Sequence, residues 1–146
     1  MKLRIMKRTF TAFAKTKDIT DETGAVRYHL NGDTKSLHLL DAAGNEIAEI
    51  RQKLSFFSKF AVTVNGRALT ASQHGENIEI APNGWRTFGF VYGAAYALMS
   101  DETCIAEINR LPHPDGTVLE VICREPESEA EILACVIAVE LAELQR

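Results

Sequence analysis

The side chains of this 146-residue chain that can do chemistry are few and scattered. Four histidines, His29, His38, His74 and His113, stand in no H-x-H or H-x-x-x-H spacing, and no flanking cysteines complete a zinc set. His29 and His38 would meet only if their strands were neighbours, and no metal site is expected. Cys104, Cys123 and Cys135 are odd in number, widely spaced and set among apolar residues, which fits small buried hydrophobes better than a disulfide framework. A facing pair of Cys104 and Cys123 on adjacent strands is the alternative. Glu125, Glu127, Glu129 and Glu131 form a carboxylate run, but they sit where a helix begins and suit the positive end of its dipole. A nucleophile elbow, a P-loop, a dinucleotide fingerprint and a zincin motif are all absent, and the glycines of GFVYG, Gly89 and Gly93, open no strand-to-helix phosphate cradle. The expectation is a non-enzymatic protein without catalytic residues or cofactor.

The best binding candidates lie in RQKLSFFSKF, where Arg51, Lys53 and Lys59 surround Phe56 and Phe57. Cations beside aromatic tips suit an anionic membrane surface, where each Lys or Arg contributes about 1 kcal/mol. The plainer reading has Phe56 or Phe57 covering the end of a β structure while the cations solvate the connection. Lys2, Arg4, Lys7 and Arg8 would extend the same basic surface or decorate a first strand. The net charge of -4 conceals an asymmetry, since residues 1–70 carry 12 Lys/Arg against 7 Asp/Glu and residues 71–146 carry 4 against 13. Such a division marks a basic face for an anionic partner only if folding keeps the two parts apart. No nucleic-acid partner is expected.

The elements that must position these residues are mostly strands. DETG at Asp21 to Gly24 and DAAG at Asp41 to Gly44, twenty residues apart, each supply an Asp for backbone hydrogen bonds and a Gly for positive φ. Asn65-Gly66 predicts a third hairpin and Pro82-Asn83-Gly84 a fourth turn. Val26, Tyr28 and Leu30 alternate with Arg27 and His29, and Phe60, Val62 and Val64 share a side, as in half-buried strands. Alternation of Phe88, Phe90 and Tyr92 predicts strand up to Tyr92, and further strands are expected over Tyr96 to Ser100, Cys104 to Asn109 and Thr117 to Glu125.

The C-terminus differs in kind. Ser128 and Glu131 form a capping-box signature, and the helix expected over about residues 128–145 is apolar on every side from Ile132 to Val139 before Glu140 and Glu143 close the run. It is too short for a bilayer and needs a protein sheath. Many short strands at regular spacing plus one all-apolar helix predict a closed antiparallel β-barrel around a buried hydrophobic C-terminal helix, in one domain over residues 1–146. MKLRIMKRTF lacks the apolar core of a signal peptide, so the expected location is the cytoplasm.

The hairpins DETGAVRYHL and DAAGNEIAEIRQKLSFFSKFAVTVNG, with the terminal SEAEILACVIAVELAEL, resemble the LURP-one-related family. That family belongs to the Tubby C-terminal-like superfamily, which also contains the phospholipid scramblases. The resemblance covers nearly the whole chain and is most specific in EIAEIRQKLSFFSKF. It implies a mainly β fold with a barrel of about twelve antiparallel strands around a hydrophobic helix. Tubby domains bind phosphoinositide headgroups through basic residues, so the resemblance implies a binding domain for anionic phospholipid, peripheral at a membrane. The alternative is a structural or regulatory protein-protein interaction module that uses a sheet face. The cysteine-rich, calcium-binding and membrane-inserting segments of scramblases have no counterpart here.

Overall fold

Two turns of matching chemistry set the first half of the fold. Asp21 Oδ1 accepts the N–H groups of Thr23 at 2.8 Å and Ala25 at 3.2 Å. Asp41 Oδ1 accepts those of Ala43 at 3.0 Å and Asn45 at 2.9 Å. Gly24 and Gly44 complete the reversals at φ of 86° and 90°, a region closed to most side chains. These hydrogen bonds favour the ionised carboxylates. The Thr23 hydroxyl acts most strongly on Asp21 and the Asn45 N–H on Asp41, and both carboxyls are held below their usual range.

A carboxyl depressed in the folded state stabilises the fold above the unfolded-state pKa of about 3.9, and that contribution is lost as pH falls through the lower folded value. The Asp21→Asn/Asp41→Asn variant keeps an acceptor oxygen but does not titrate. Its urea midpoint is expected to fall less than the parent's between about pH 5 and pH 2. Equal falls would show that the two turns contribute nothing to acid sensitivity.

The computed structural model describes residues 2–6, 17–33, 35–53, 59–89, 93–114 and 116–144. Its strands are β1 (Lys2–Met6), β2 (Lys17–Asp21), β3 (Val26–Asp33), β4 (Ser36–Asp41), β5 (Glu46–Lys53), β6 (Lys59–Val64), β7 (Arg67–His74), β8 (Asn77–Ala81), β9 (Trp85–Phe88), β10 (Ala95–Ser100), β11 (Thr103–His113) and β12 (Gly116–Cys123). A 3-10 turn at Pro126–Ser128 leads into the helix α1 (Glu129–Leu144). Each strand pairs antiparallel with its sequence neighbours, and β1 pairs with both β2 and β12. The molecule is therefore mainly β, a closed twelve-strand barrel with one C-terminal helix. Closure leaves no sheet edge to template aggregation.

Period-two patterning assigns the faces. Tyr28, Leu30, Leu37, Leu39, Ala48, Ile50, Phe60, Val62 and Val64 are buried, and the strand residues His29, His38, Glu49, Ala61 and Thr63 that alternate with them are at least partly exposed. Asn65 and Gly66 take φ of 49° and 81°, the paired positive values of a tight hairpin, and set Val64 opposite Arg67. In α1 every residue from Ile132 to Ala142 is buried, in one cluster with the buried residues of the strands. None of the described helices is long and apolar enough to cross a membrane.

Four local expectations are corrected. Val26 does not share the buried face of Tyr28 and Leu30 but is 36% exposed, at the point where the β2–β3 register shifts between Ile19 and Thr20. β9 ends at Phe88 rather than running to Tyr92, because Gly89 turns the backbone at φ 96°; Phe90 and Tyr92 lie outside the described residues. The capping box gives way to tertiary partners: Glu131 bonds Arg67 at 3.1 Å and the Asn83 amide at 3.3 Å, while the Ser128 N–H donates to the Glu125 carbonyl. Glu140 does not close the helix but lies inside its buried stretch, fully shielded from solvent.

Candidate functional site

An up-and-down barrel sends successive connections to opposite ends, so the charge of each connection determines the charge of an end. At the end where β2, β4 and β6 start, the described strand ends and turns carry Lys17, Lys35, Lys53 and Lys59 against Asp33 and Glu76. At the other end, where α1 begins, Asp21, Glu22, Asp41, Glu46, Asp101, Glu102, Glu125 and Glu127 outnumber Lys2, Arg67 and Arg124. The division along the barrel axis follows the parity of the connections and not the sequence halves, since Asp21, Glu22, Asp41 and Glu46 of the basic half lie at the acidic end. Among the described strand ends and turns, one end is basic and the other acidic, with Glu143 in the last turn of α1 a further acidic residue toward the basic end.

Lys53 and Lys59 occupy directly opposite positions in the β5–β6 ladder at the basic end. Arg51 points to the outer face of β5, opposite Ser36 and Ala61, and its guanidinium bonds Glu49 at 3.0 Å, which offsets its charge. Phe56 and Phe57 lie outside the described residues. Of Lys2, Arg4, Lys7 and Arg8, the first two decorate β1, with Lys2 at the acidic end, and the last two lie outside the described residues.

Lys35 completes this arc, and sequence reasoning missed it. The Gln52 N–H donates to the Lys35 carbonyl at 3.0 Å, which brings an exposed lysine of the β3–β4 turn beside the end of β5. No family model, no curated protein and no solved structure matches the chain.

Two buried carboxylates hold α1 near the two ends. Near the acidic end Glu129 accepts the Tyr28 hydroxyl at 2.6 Å and Arg27 at 3.4 Å. Burial, reinforced by that carboxylate, raises the Tyr28 phenol pKa, so the hydroxyl remains a donor. Toward the basic end Glu140 accepts the Tyr96 hydroxyl at 2.8 Å and both arms of the Arg110 fork at 2.7 and 3.2 Å. Arg110 also bonds the Gly93 carbonyl and lies 5.3 Å above the centre of the Tyr96 ring. All these donors are directed at acceptors of the chain itself, the Glu129 and Glu140 carboxylates and the Gly93 carbonyl. The arrangement anchors a helix and opens no substrate cavity.

Among the described residues the histidines and cysteines form no cluster. His29 and His38 do lie on adjacent strands, but His29 is bonded by Asp18 at 2.7 Å and His38 by Glu46, with Glu49 at 3.7 Å. Among the described residues no cluster of His, Cys, Asp and Glu could hold a metal ion. Cys123 pairs with Ala106 and Cys104 with Met99, so the two thiols do not face each other and all three cysteines are free. Burial raises the pKa of Cys123 and Cys135, which keeps them as unreactive thiols.

Proposed function

We propose that this chain is a non-enzymatic, Tubby C-terminal-like binding domain of the LURP-one-related kind, cytoplasmic and peripheral, that engages an anionic phospholipid surface through its basic end. The observation that carries this reading is the sorting of charge between the barrel ends, with Lys35, Lys53 and Lys59 brought together by the β3–β4 turn and the β5–β6 ladder. Arg51, Phe56 and Phe57 belong to the same proposed footprint. In this reading α1 runs through the barrel lumen as structural filling. The support is its burial in the strands' own cluster and its bonds to Tyr28 near one end and Arg110 near the other.

The potential of such an end acts over a Debye length of about 8 Å, so binding should weaken as salt rises. The test is binding of the purified protein to neutral and anionic vesicles across a salt series. Salt-sensitive binding to the anionic vesicles alone, reduced in Lys53→Glu/Lys59→Glu, is expected. Equal, negligible binding to both would end the lipid reading.

One observation favours the alternative, a protein-interaction module. A shallow depression of about 520 Å³ on the outer barrel face is lined by Phe88, Gly89, Ala95, Ala97, Asn109 and Ile122 among others. Small residues forming its floor beside an exposed aromatic would suit a partner's side chain.

A further inference from the structure

Three large apolar side chains are notably exposed among the described residues: Val26, Phe88 and Leu111. Phe88 is 62% exposed and Leu111 41%, and both stand on the outer barrel face in the parts of β9 and β11 that lead to the basic end. Phe88 ends β9 immediately before the turn at Gly89. Leu111 lies beyond the start of β10, because Ala95 already pairs with Asn109; only Val118 of β12 is opposite Leu111. Val26, the least exposed of the three at 36%, sits at the acidic end. The basic rim therefore divides into two arcs, with Lys17, Lys35, Lys53 and Lys59 over β2 to β6 and Phe88 and Leu111 over β9 to β11.

Cations and large apolar groups sharing one end match the two layers of a membrane interface. Lysines can meet headgroups while aromatic and aliphatic tips enter the acyl boundary. We infer that Phe88 and Leu111 form the apolar half of one footprint, so that the barrel docks end-on into an anionic bilayer with its acidic end turned away. This rests on the anionic-surface reading above and adds the orientation and the ligand: the bilayer surface as a whole, not an isolated headgroup. Screening weakens the lysine contribution at high salt, whereas burial of Phe88 and Leu111 does not depend on it.

The test is sedimentation of the full chain with phosphatidylcholine vesicles containing phosphatidylserine, across a salt series. The Phe88→Ser/Leu111→Ser variant is expected to bind on the order of tenfold more weakly. Its slope of log affinity against log salt should equal the parent's, because no charge has changed. Soluble glycerophosphoserine should not compete. Both side chains are exposed, so the melting temperature should hold, and Phe88→Ala alone provides a milder variant that should show part of the loss.

Parental affinity in both variants would overturn the wedge while leaving the anionic-surface reading intact. Competition by glycerophosphoserine would replace end-on docking with a headgroup pocket. A dimer of the parent that the double variant loses would assign the two residues to self-association and overturn the inference. Failure of the parent to bind anionic vesicles at all would remove the lipid reading and this inference with it.

Discussion

Val136→Asp is expected to abolish the folded state. Val136 is 2% exposed and sits mid-helix in a run where every neighbour from Ile132 to Val139 is apolar, so a carboxylate there finds neither water nor a cation. Burying it unpaired costs several kcal/mol even if it takes up a proton, which is comparable to the whole stability of about 5–15 kcal/mol for a domain of ordinary size. Val136→Ala removes only two methyl groups and should cost about 2 kcal/mol, leaving a folded protein. Thermal melts followed by circular dichroism separate the cases. An Asp variant that is soluble and melts with the parent would mean that the helix is not part of the core.

The second large effect is expected at Arg110. Arg110 and Glu140 have 8% and 0% of their side chains exposed, and the fork makes two bonds to the carboxylate. Removing one partner of such a pair leaves a buried charge uncompensated, which costs about 3–5 kcal/mol, whereas replacing both with apolar groups is often neutral. Arg110→Leu should therefore destabilise strongly, and Arg110→Leu/Glu140→Leu should recover most of the loss, less the hydrogen bond from Tyr96. The surface pair Arg124 and Glu107 is the control: at 2.7 Å it is just as short, but its side chains are 54% and 42% exposed. Arg124→Leu should leave the urea midpoint close to the parent's. Urea unfolding of the four proteins gives the comparison. A double variant as unstable as Arg110→Leu would assign the effect to lost packing and not to charge.

What could be read in the sequence and what could not divides by range. The Asp21 and Asp41 turns are local: the Asp, the Gly and every N–H that the Asp accepts lie within four residues, so composition alone predicts them. The helix is legible because an apolar run without a polar face has no place on a surface. Glu140 was misread because its partners Tyr96 and Arg110 lie 44 and 30 residues away, and in isolation a Glu after Val139 resembles the polar end of a helix. Lys35 was missed for the same reason, since only the pairing of β4 with β5 brings it beside Gln52, next to Lys53.

The charge division was visible but expressed in the wrong coordinate. In a meander the odd connections share one end and the even ones the other. Lys17, Lys35, Lys53 and Lys59 flank odd connections, while Glu22, Asp41 and Glu102 flank even ones. That parity was available once the strands had been counted. The step at Arg51 to Lys59 was therefore a sound candidate for Lys53 and Lys59 and a weaker one for Arg51, which Glu49 already engages.

In the proposed reading the position of charge, and not its total, directs the protein to an anionic surface. Two variants that lower net charge equally test it most directly. Lys53→Gln/Lys59→Gln removes two cations from the basic end, and Lys2→Gln/Arg124→Gln removes two from the acidic end. At about 1 kcal/mol per cation, the first should weaken binding to phosphatidylserine vesicles roughly thirtyfold, and the second should stay within about threefold of the parent. Equal losses in the two variants, or a parent that does not distinguish anionic from neutral vesicles, would contradict the account.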